Sequence, residues 1–192
     1  MLPGEKGAEV RLVTPRLVLR EWRHSDVPDL VEGLGSLEVA RWLVFVPHPY
    51  AAHDARSWIA YCERLRESGV GRTDYEFAVE LAVENKVIGG TSVSRISRLH
   101  GTAGGGIWLN PAYQGRGFGR EAFGERIRFA FEDLGLRRLE NGYFAGNAAS
   151  HAMQLRFGYR PEGVRRKAYR CMADGELKDE YLMGLLREEW TP

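Results

Sequence analysis

Gly104-Gly105-Gly106-Ile107-Trp108-Leu109-Asn110-Pro111-Ala112-Tyr113-Gln114-Gly115-Arg116-Gly117-Phe118-Gly119-Arg120-Glu121-Ala122-Phe123 spells out a strand, a glycine loop and a helix start. The apolar run Ile107–Leu109 predicts a short strand that stops at Asn110-Pro111. Phe123, Ile127, Ala130, Phe131 and Leu134 fall at helical spacing, so a helix is expected over 118–134 with one apolar face. The first amides of that helix have no internal partner, and the macrodipole adds partial positive charge to them. Glycines 115, 117 and 119 let those N–H groups approach a ligand without a Cβ between, and Arg116 and Arg120 add full charges. The ligand this arrangement suits is a phosphate or pyrophosphate.

Three phosphate-binding patterns compete for the stretch. A P-loop needs Lys-Ser or Lys-Thr after its last glycine, and Gly119 is followed by Arg120-Glu121. A dinucleotide fingerprint fits at Gly115 and Gly117 but meets Arg120 at its last position, and strands alternating with helices should precede it. The third pattern, Q/R-x-x-G-x-G/A, is met by Gln114, Gly117 and Gly119. It resembles the acetyl-coenzyme A loop of the GCN5-related N-acetyltransferases (GNAT). The plain alternative is a glycine turn that binds nothing.

Composition narrows the classes. A chain of 192 residues, 44% apolar and 28% charged, is long enough for one soluble domain with a substantial core. A net charge of +1 and the lack of a long basic run argue against direct nucleic-acid binding. Two cysteines, Cys62 and Cys171, predict no disulfide framework and fit a reducing, cytoplasmic setting. No apolar run approaches the roughly 20 residues of a membrane span, and the opening residues lack the apolar core of an export signal. His48, His53, His100 and His151 show no ligand spacing, so no metal is expected.

Along the chain, residues 1–9 read as a frayed lead-in, and 10–12 and 17–19 as strand. Ser25 can cap a helix over 26–33, and 54–67 carries a second helix with Ala55, Trp58, Ile59, Cys62 and Leu65 on one face. Residues 39–46 are strongly apolar until Pro47-His48-Pro49 interrupts them. Residues 75–83 and 86–96 form a hairpin turning at Glu84-Asn85, and 100–106 reads as a connection. After the helix of 118–134 come a strand over 136–144, a short helix over 147–157, and strands over 164–172 and 180–186 joined at Asp174-Gly175. Hairpins with one βαβ passage predict an α+β fold, its sheet mixed but mostly antiparallel, in a single domain.

Four further features carry the resemblance. Asn147-Ala148-Ala149-Ser150 followed by Arg156-Phe157-Gly158-Tyr159 is similar to the second acetyltransferase signature. Thr14-Pro15-Arg16-Leu17-Val18-Leu19-Arg20 with Asp26, Asp174-Gly175-Glu176-Leu177-Lys178-Asp179, and Leu185-Leu186-Arg187-Glu188-Glu189-Trp190 look like the RimJ/RimL branch, which acetylates N-terminal amines of ribosomal proteins. The likeness covers about residues 13–190. It implies a sheet splayed at its centre with helices on both faces, and acetyl-CoA as cosubstrate. Pantetheine would pair with the backbone of Ile107, Trp108 and Leu109. The pyrophosphate would meet amides between Gly115 and Arg120, with Gln114, Arg116, Gly117, Phe118 and Gly119 forming the loop. Asn147 would bond pantetheine, and Arg156 would reach the nucleotide or stay a solvated helix residue. Relatives often pair through their C-terminal strands, which implies a homodimer.

The same resemblance implies direct attack of a neutral amine on the thioester. An α-amine titrates near about 7.7–8.0 and a lysine near about 10.4, so a modest base serves an N-terminus. The oxyanion donor is expected at the backbone N–H of Leu109 or its neighbour. Ser150 is the candidate hydroxyl for the leaving thiolate, or else a helix cap. Many relatives carry glutamate in a Glu-Ile-Gly-Tyr-Trp-like run where this chain has Gly104-Gly105-Gly106-Ile107-Trp108, and Gln154 stands where others have tyrosine. Glu76, Glu80 and Tyr169 are the replacement candidates, each with an ordinary strand role as its alternative. Trp42, Phe45, Trp58 and Tyr113 could line the acceptor cleft, Trp42 and Trp58 equally serving as core. The acceptor is a ribosomal-protein N-terminus or a small-molecule amine. A coenzyme A-binding module without catalysis, and a dinucleotide-binding protein, are the alternatives.

Overall fold

The computed structural model describes residues 9–191, so the lead-in expected over 1–9 lies, but for Glu9, outside the described residues. Nine strands form one sheet: β1 (Arg11–Val13), β2 (Leu17–Glu21), β3 (Tyr75–Leu81), β4 (Lys86–Ser97), β5 (Thr102–Gly104), β6 (Ile107–Leu109), β7 (Arg138–Phe144), β8 (Arg160–Arg170) and β9 (Leu177–Leu186). The order is β1-β2-β3-β4-β5-β7-β9-β8, with β6 also on β4, and every pairing is antiparallel except β5 with β7. The helices are α1 (Val27–Leu34), α2 (Leu37–Ala40), α3 (Ala52–Glu67), α4 (Phe118–Arg128) and α5 (Ala148–Arg156). The α+β reading holds.

Strand alternation sorts the apolar side chains into two cores, one on each face. Tyr75, Phe77 and Val79 of β3 pack with Val93 and with Phe123, Ile127, Phe129 and Phe131 of the α4 segment. Between them, Ala78 turns the other way, joining Trp22, Leu30, Ala55 and Ile59 under α1 and α3. Past Arg128 the helix widens into a π-helical turn, Phe129–Asp133, which keeps Phe129, Ala130 and Phe131 all buried.

One strand differs from the sequence expectation in a way that makes the site. The stretch expected to be a plain connection, 100–106, contains β5, which lies between β4 and β7. Thr102 and Ala103 are too small and too few to show an apolar period, so the strand left no signal. Beyond Gly105, whose φ is +136°, the chain stays paired to β4 as β6 but has left β7. The sheet is closed at β5–β7 and open at β6–β7: a fork.

Smaller differences concern ends. Asp26, rather than Ser25, is the residue just before α1; it closes a 3-10 turn at His24–Asp26, and its carboxylate accepts from Arg23 N–H and the Arg20 guanidinium. The apolar 39–46 stretch is the end of α2 followed by turns. β8 and β9 start earlier than expected, at Arg160 and Leu177. Cys62 and Cys171 are both buried free thiols.

Candidate active site

The fork exposes backbone N–H groups that have no hydrogen-bond acceptor among the described residues. Ser92 N–H donates to Gly106 O (3.0 Å) and Asn110 N–H to Ile88 O (2.8 Å), which fixes the phase of the β4–β6 ladder. Antiparallel ladders bond every second residue, so Trp108 faces β4 while the N–H groups of Ile107 and Leu109 point into the gap toward β7. Of the three residues expected to offer backbone to pantetheine, Trp108 therefore does not. Its indole instead fills a slot where a Cβ on Gly90 would come within 2.7 Å of Nε1 and one on Gly33 within 2.6 Å of the ring. The Leu109 carbonyl is taken by Gln114 Nε2 (3.0 Å), so Gln114 acts as a brace between strand and loop.

A cleft of about 550 Å³ runs from this gap to the glycine loop, touching Ile107, Leu109, Gly117, Gly119, Arg120 and Ser150. Gly117 is the residue before α4 and adopts φ +81°, a left-handed turn that L side chains resist and that turns the first helix amides outward. Phe118 puts its side chain into the core, so only its amide can serve a ligand. Glu121, in the first turn, is drawn away from that opening by Thr14 Oγ1 (2.6 Å), Arg16 N–H (2.8 Å) and Arg16 Nε (2.6 Å). Burial opposes its ionisation, yet those bonds hold its carboxyl below the ordinary range. Arg116 and Arg120 are exposed and have no carboxylate partner among the described residues. Arg120 lines the cleft; Arg116 lies over the Tyr113 ring at 5.5 Å.

On the opposite wall, α5 shows which residue caps it. The cap is Asn147, whose Oδ1 accepts from Ser150 N–H (3.1 Å). Ser150 Oγ accepts from Gln154 Nε2 (3.1 Å), which leaves its own proton free to point into the cleft. Asn147 keeps its side-chain N–H₂ for the same space. Arg156, in the last turn, is exposed and does not line the cleft.

A second cleft, about 710 Å³, opens on the α1/α3 face and meets the first along Gly105, Gly106, Ile107 and Trp108. Trp42, Phe45 and Trp58 line it, with Phe45 79% exposed at the rim; Tyr113 does not, its hydroxyl donating to Glu84 elsewhere. The three base candidates separate clearly here. Glu80 is held by Arg20 Nε at 2.6 Å in a buried network and faces neither cleft. Tyr169 lines the second cleft, but its hydroxyl accepts from Arg165 (3.2 Å). Glu76 lines it with no hydrogen bond or ion pair among the described residues. Burial pushes its carboxyl up to about 8, Asp74 adding to the rise while Arg72 and Arg126 oppose it. Glu76 sits opposite Ser92 in the β3–β4 register, and Ser92 in turn bonds Gly106 at the fork.

Residues 16–160 match the family model for the acetyltransferase (GNAT) domain. The chain belongs to the GNAT acetyltransferase family. GNAT enzymes transfer an acetyl group from acetyl-CoA to an amine. The described fork, left-handed Gly117 and unpartnered Ile107 and Leu109 amides fit that cosubstrate. Among similar proteins, this GNAT chain is 27% identical over 192 residues to the [ribosomal protein uS5]-alanine N-acetyltransferase of Escherichia coli (strain K12), covering 96% of this chain and 94% of that one. It is 26% identical over 184 residues to the uncharacterized N-acetyltransferase YnaD of Bacillus subtilis (strain 168), covering 95% and 100%. Its fold superposes on Mycobacterium smegmatis RimJ in complex with CoA-disulfide with a TM-score of 0.79, at 21% identity over 98% of this chain and 91% of that one. The mostly antiparallel sheet is not the doubly wound parallel one that a dinucleotide fingerprint belongs to.

One residue that holds this GNAT fork together escaped the sequence reading. Arg126 of α4 is fully buried (0% exposed), with Nε on Ser92 O at 2.6 Å and Nη2 on both Gly104 O (3.2 Å) and Asn141 Oδ1 (2.9 Å). It ties β4, β5 and β7 together just below the point of opening. A Cβ on Gly105 would collide with the Ser92 carbonyl and reach 2.8 Å from Arg126 Nη2, so the glycine and the arginine belong together. An arginine three residues after Phe123 reads as a solvated helix position, and nothing in its spacing marked it as buried.

Proposed function

We propose that this protein acetylates an α-amine at a peptide or protein N-terminus, with Glu76 as the base, through a ternary complex. The observation that carries the proposal is the continuity of the two clefts at Gly105–Trp108, which connects the amides of α4 to the free carboxyl of Glu76. The reading gains support from the E. coli relative named for uS5-alanine acetylation. An α-amine also needs less help than lysine to lose its proton near neutrality.

In this reading, the amides of Gly117–Arg120 and the Arg120 guanidinium meet the pyrophosphate, Arg116 adds field at the loop, and Ile107 and Asn147 bond the pantetheine arm. Leu109 N–H donates to the thioester oxygen as charge develops there. Glu76 takes a proton from the ammonium, the neutral nitrogen bonds the carbonyl carbon, and the C–S bond breaks. Ser150 Oγ–H lies where it donates to the departing sulfur; the second amine proton leaves to solvent. Tyr169 closes the acceptor side of the cleft. Arg156 reaches the nucleotide only from outside the cleft. The exposed edge strand β8 is where a second copy would pair, and a cytoplasmic setting suits the free thiols.

Thermal melting with acetyl-CoA, followed by thiol release with a panel of amines, tests this. Stabilisation by acetyl-CoA and thiol release with Ala- or Ser-initiated peptides is the expected result. Release only with polyamines or amino sugars would move the acceptor to small molecules. Stabilisation without release from any amine would leave a coenzyme A-binding module.

A further inference from the structure

Arg95 breaks the pattern of β4. It sits in a bulge between Ser94 and Ser97, where the pairing with β5 slips, and its φ is +53°. A non-glycine residue in that region is strained unless its surroundings hold it there. Asp74 Oδ1 does so, accepting from Arg95 N–H at 3.0 Å. The strain serves to aim the side chain, because its guanidinium lies over Gly104 so closely that a Cβ at 104 would run into Nη2. That is the stretch where many relatives were expected to place a glutamate. Here a cation occupies the space instead.

The Arg95 guanidinium lines the acceptor cleft, is exposed, and finds no carboxylate or other hydrogen-bond acceptor among the described residues. An arginine left unpaired in a cleft wall is a fork of donors whose geometry matches a carboxylate or phosphate. Glu76, on the neighbouring strand, supplies the opposite preference for the amine itself. Of the four charged side chains lining this cleft, Asp54 accepts from Ala51 N–H and Glu180 pairs with Arg165, which leaves Arg95 and Glu76 as the two without a partner among the described residues, one suited to an anion and one to a cation.

We infer that the acceptor of this enzyme carries an anionic group, a carboxylate or a phosphate, close to the amine that is acetylated, and that Arg95 reads it. This rests on the acetyltransferase reading above and deepens it. Glu76 is level with Gly106 through Ser92, and Gly104 is two strand residues further, about 7 Å at the usual rise, so the anion belongs at that scale from the carboxyl that takes the amine's proton. For a peptide this means an acidic side chain at the second or third position; for a small acceptor it means the carboxylate or phosphate of the molecule itself.

Matched acceptors test it, each pair setting an anionic member against a neutral one. The pairs are Ala-Asp-Ala-amide against Ala-Asn-Ala-amide, Ala-Ala-Asp-amide against Ala-Ala-Asn-amide, alanine against alaninamide, and phosphoethanolamine against ethanolamine. The first two locate the anion on a peptide, the third and fourth on a small molecule, and the fourth separates phosphate from carboxylate. At least one pair is expected to show kcat/KM about 10-fold or more higher for the anionic member. Arg95→Asn, which tolerates the left-handed backbone, should erase that difference, and Arg95→Lys should restore part of it. Equal rates within every pair, a preference unchanged in Arg95→Asn, or no turnover of any acceptor would overturn the inference. Stabilisation by acetyl-CoA is read in parallel on both proteins: if it persists while the acceptor preference fails, only the anion assignment falls, and if it is absent the acetyltransferase reading falls with it.

Discussion

Glu76→Gln is expected to lower kcat for an N-terminal peptide by about 10²–10⁴-fold while leaving the melting shift produced by acetyl-CoA in place. The substitution keeps the size of the side chain and removes only its ability to take a proton, and Glu76 has no hydrogen bond or ion pair among the described residues to lose. In the unmodified enzyme, kcat at saturating acceptor should rise with pH through about 8, where the Glu76 carboxyl loses its proton. The variant should lose that limb. A variant retaining more than about a third of the activity, or keeping the same pH profile, would return the role to water or to Tyr169.

The same carboxyl shapes stability with a definite sign. Its pKa is raised from the model-peptide value of 4.5 to about 8, so between those values the native state holds a proton that the unfolded chain has released. Its contribution is complete below about 4.5 and is lost as pH rises through 8. Glu76→Gln should therefore melt higher than the unmodified protein at pH 8.5 and about level with it at pH 4.5. The substitution that removes activity adds stability at high pH, as expected where a site holds a charge in a place that resists it.

Arg126→Ala is expected to cost about 3–5 kcal/mol of folding stability, read by urea unfolding, with Tm falling by roughly 10 °C. The loss has two parts. Removing the side chain opens a cavity under Phe123, whose ring the guanidinium covers at 5.0 Å, and it strands the Ser92 and Gly104 carbonyls and the Asn141 amide oxygen away from water. Arg126→Met should recover part of the loss, because it refills the space and spares the desolvation of a charge that has no carboxylate partner among the described residues. If Arg126→Ala unfolds within 1 kcal/mol of the unmodified protein, the arginine does not hold the strands at the fork.

What the sequence made legible was the part governed by local rules. The glycines around Gly117 and the apolar spacing from Phe123 to Leu134 announced a helix start with free amides, and α4 is there. The hairpin expected at Glu84-Asn85 formed, with Asn85 at φ +49°, although its turn takes four residues, 82–85, and the first strand ends at Leu81. What it hid was set by contacts across long separations. β5 is three small residues whose identity as a strand comes from β4 and β7 on either side. Arg126 and Arg95 look like surface cations in sequence, and only the sheet shows one buried at the fork and the other turned into the cleft. The choice of proposed base was equally out of reach: Glu76 and Glu80 stand four apart on one strand, facing the same side by period, and only Arg20 beside Glu80 tells them apart.

On the proposed function, the gap between β6 and β7 receives the acetyl-thioester arm while the first amides of α4 hold the diphosphate. Titrating ¹⁵N-labelled protein with acetyl-CoA and following each backbone amide tests it most directly. The claim predicts saturating shifts at Ile107, Leu109 and Gly117 through Arg120, with Trp108, bonded to β4, moving less than its two neighbours. Shifts confined to the outer edge of the sheet, or none at Ile107 and Leu109 at saturating cofactor, would contradict it.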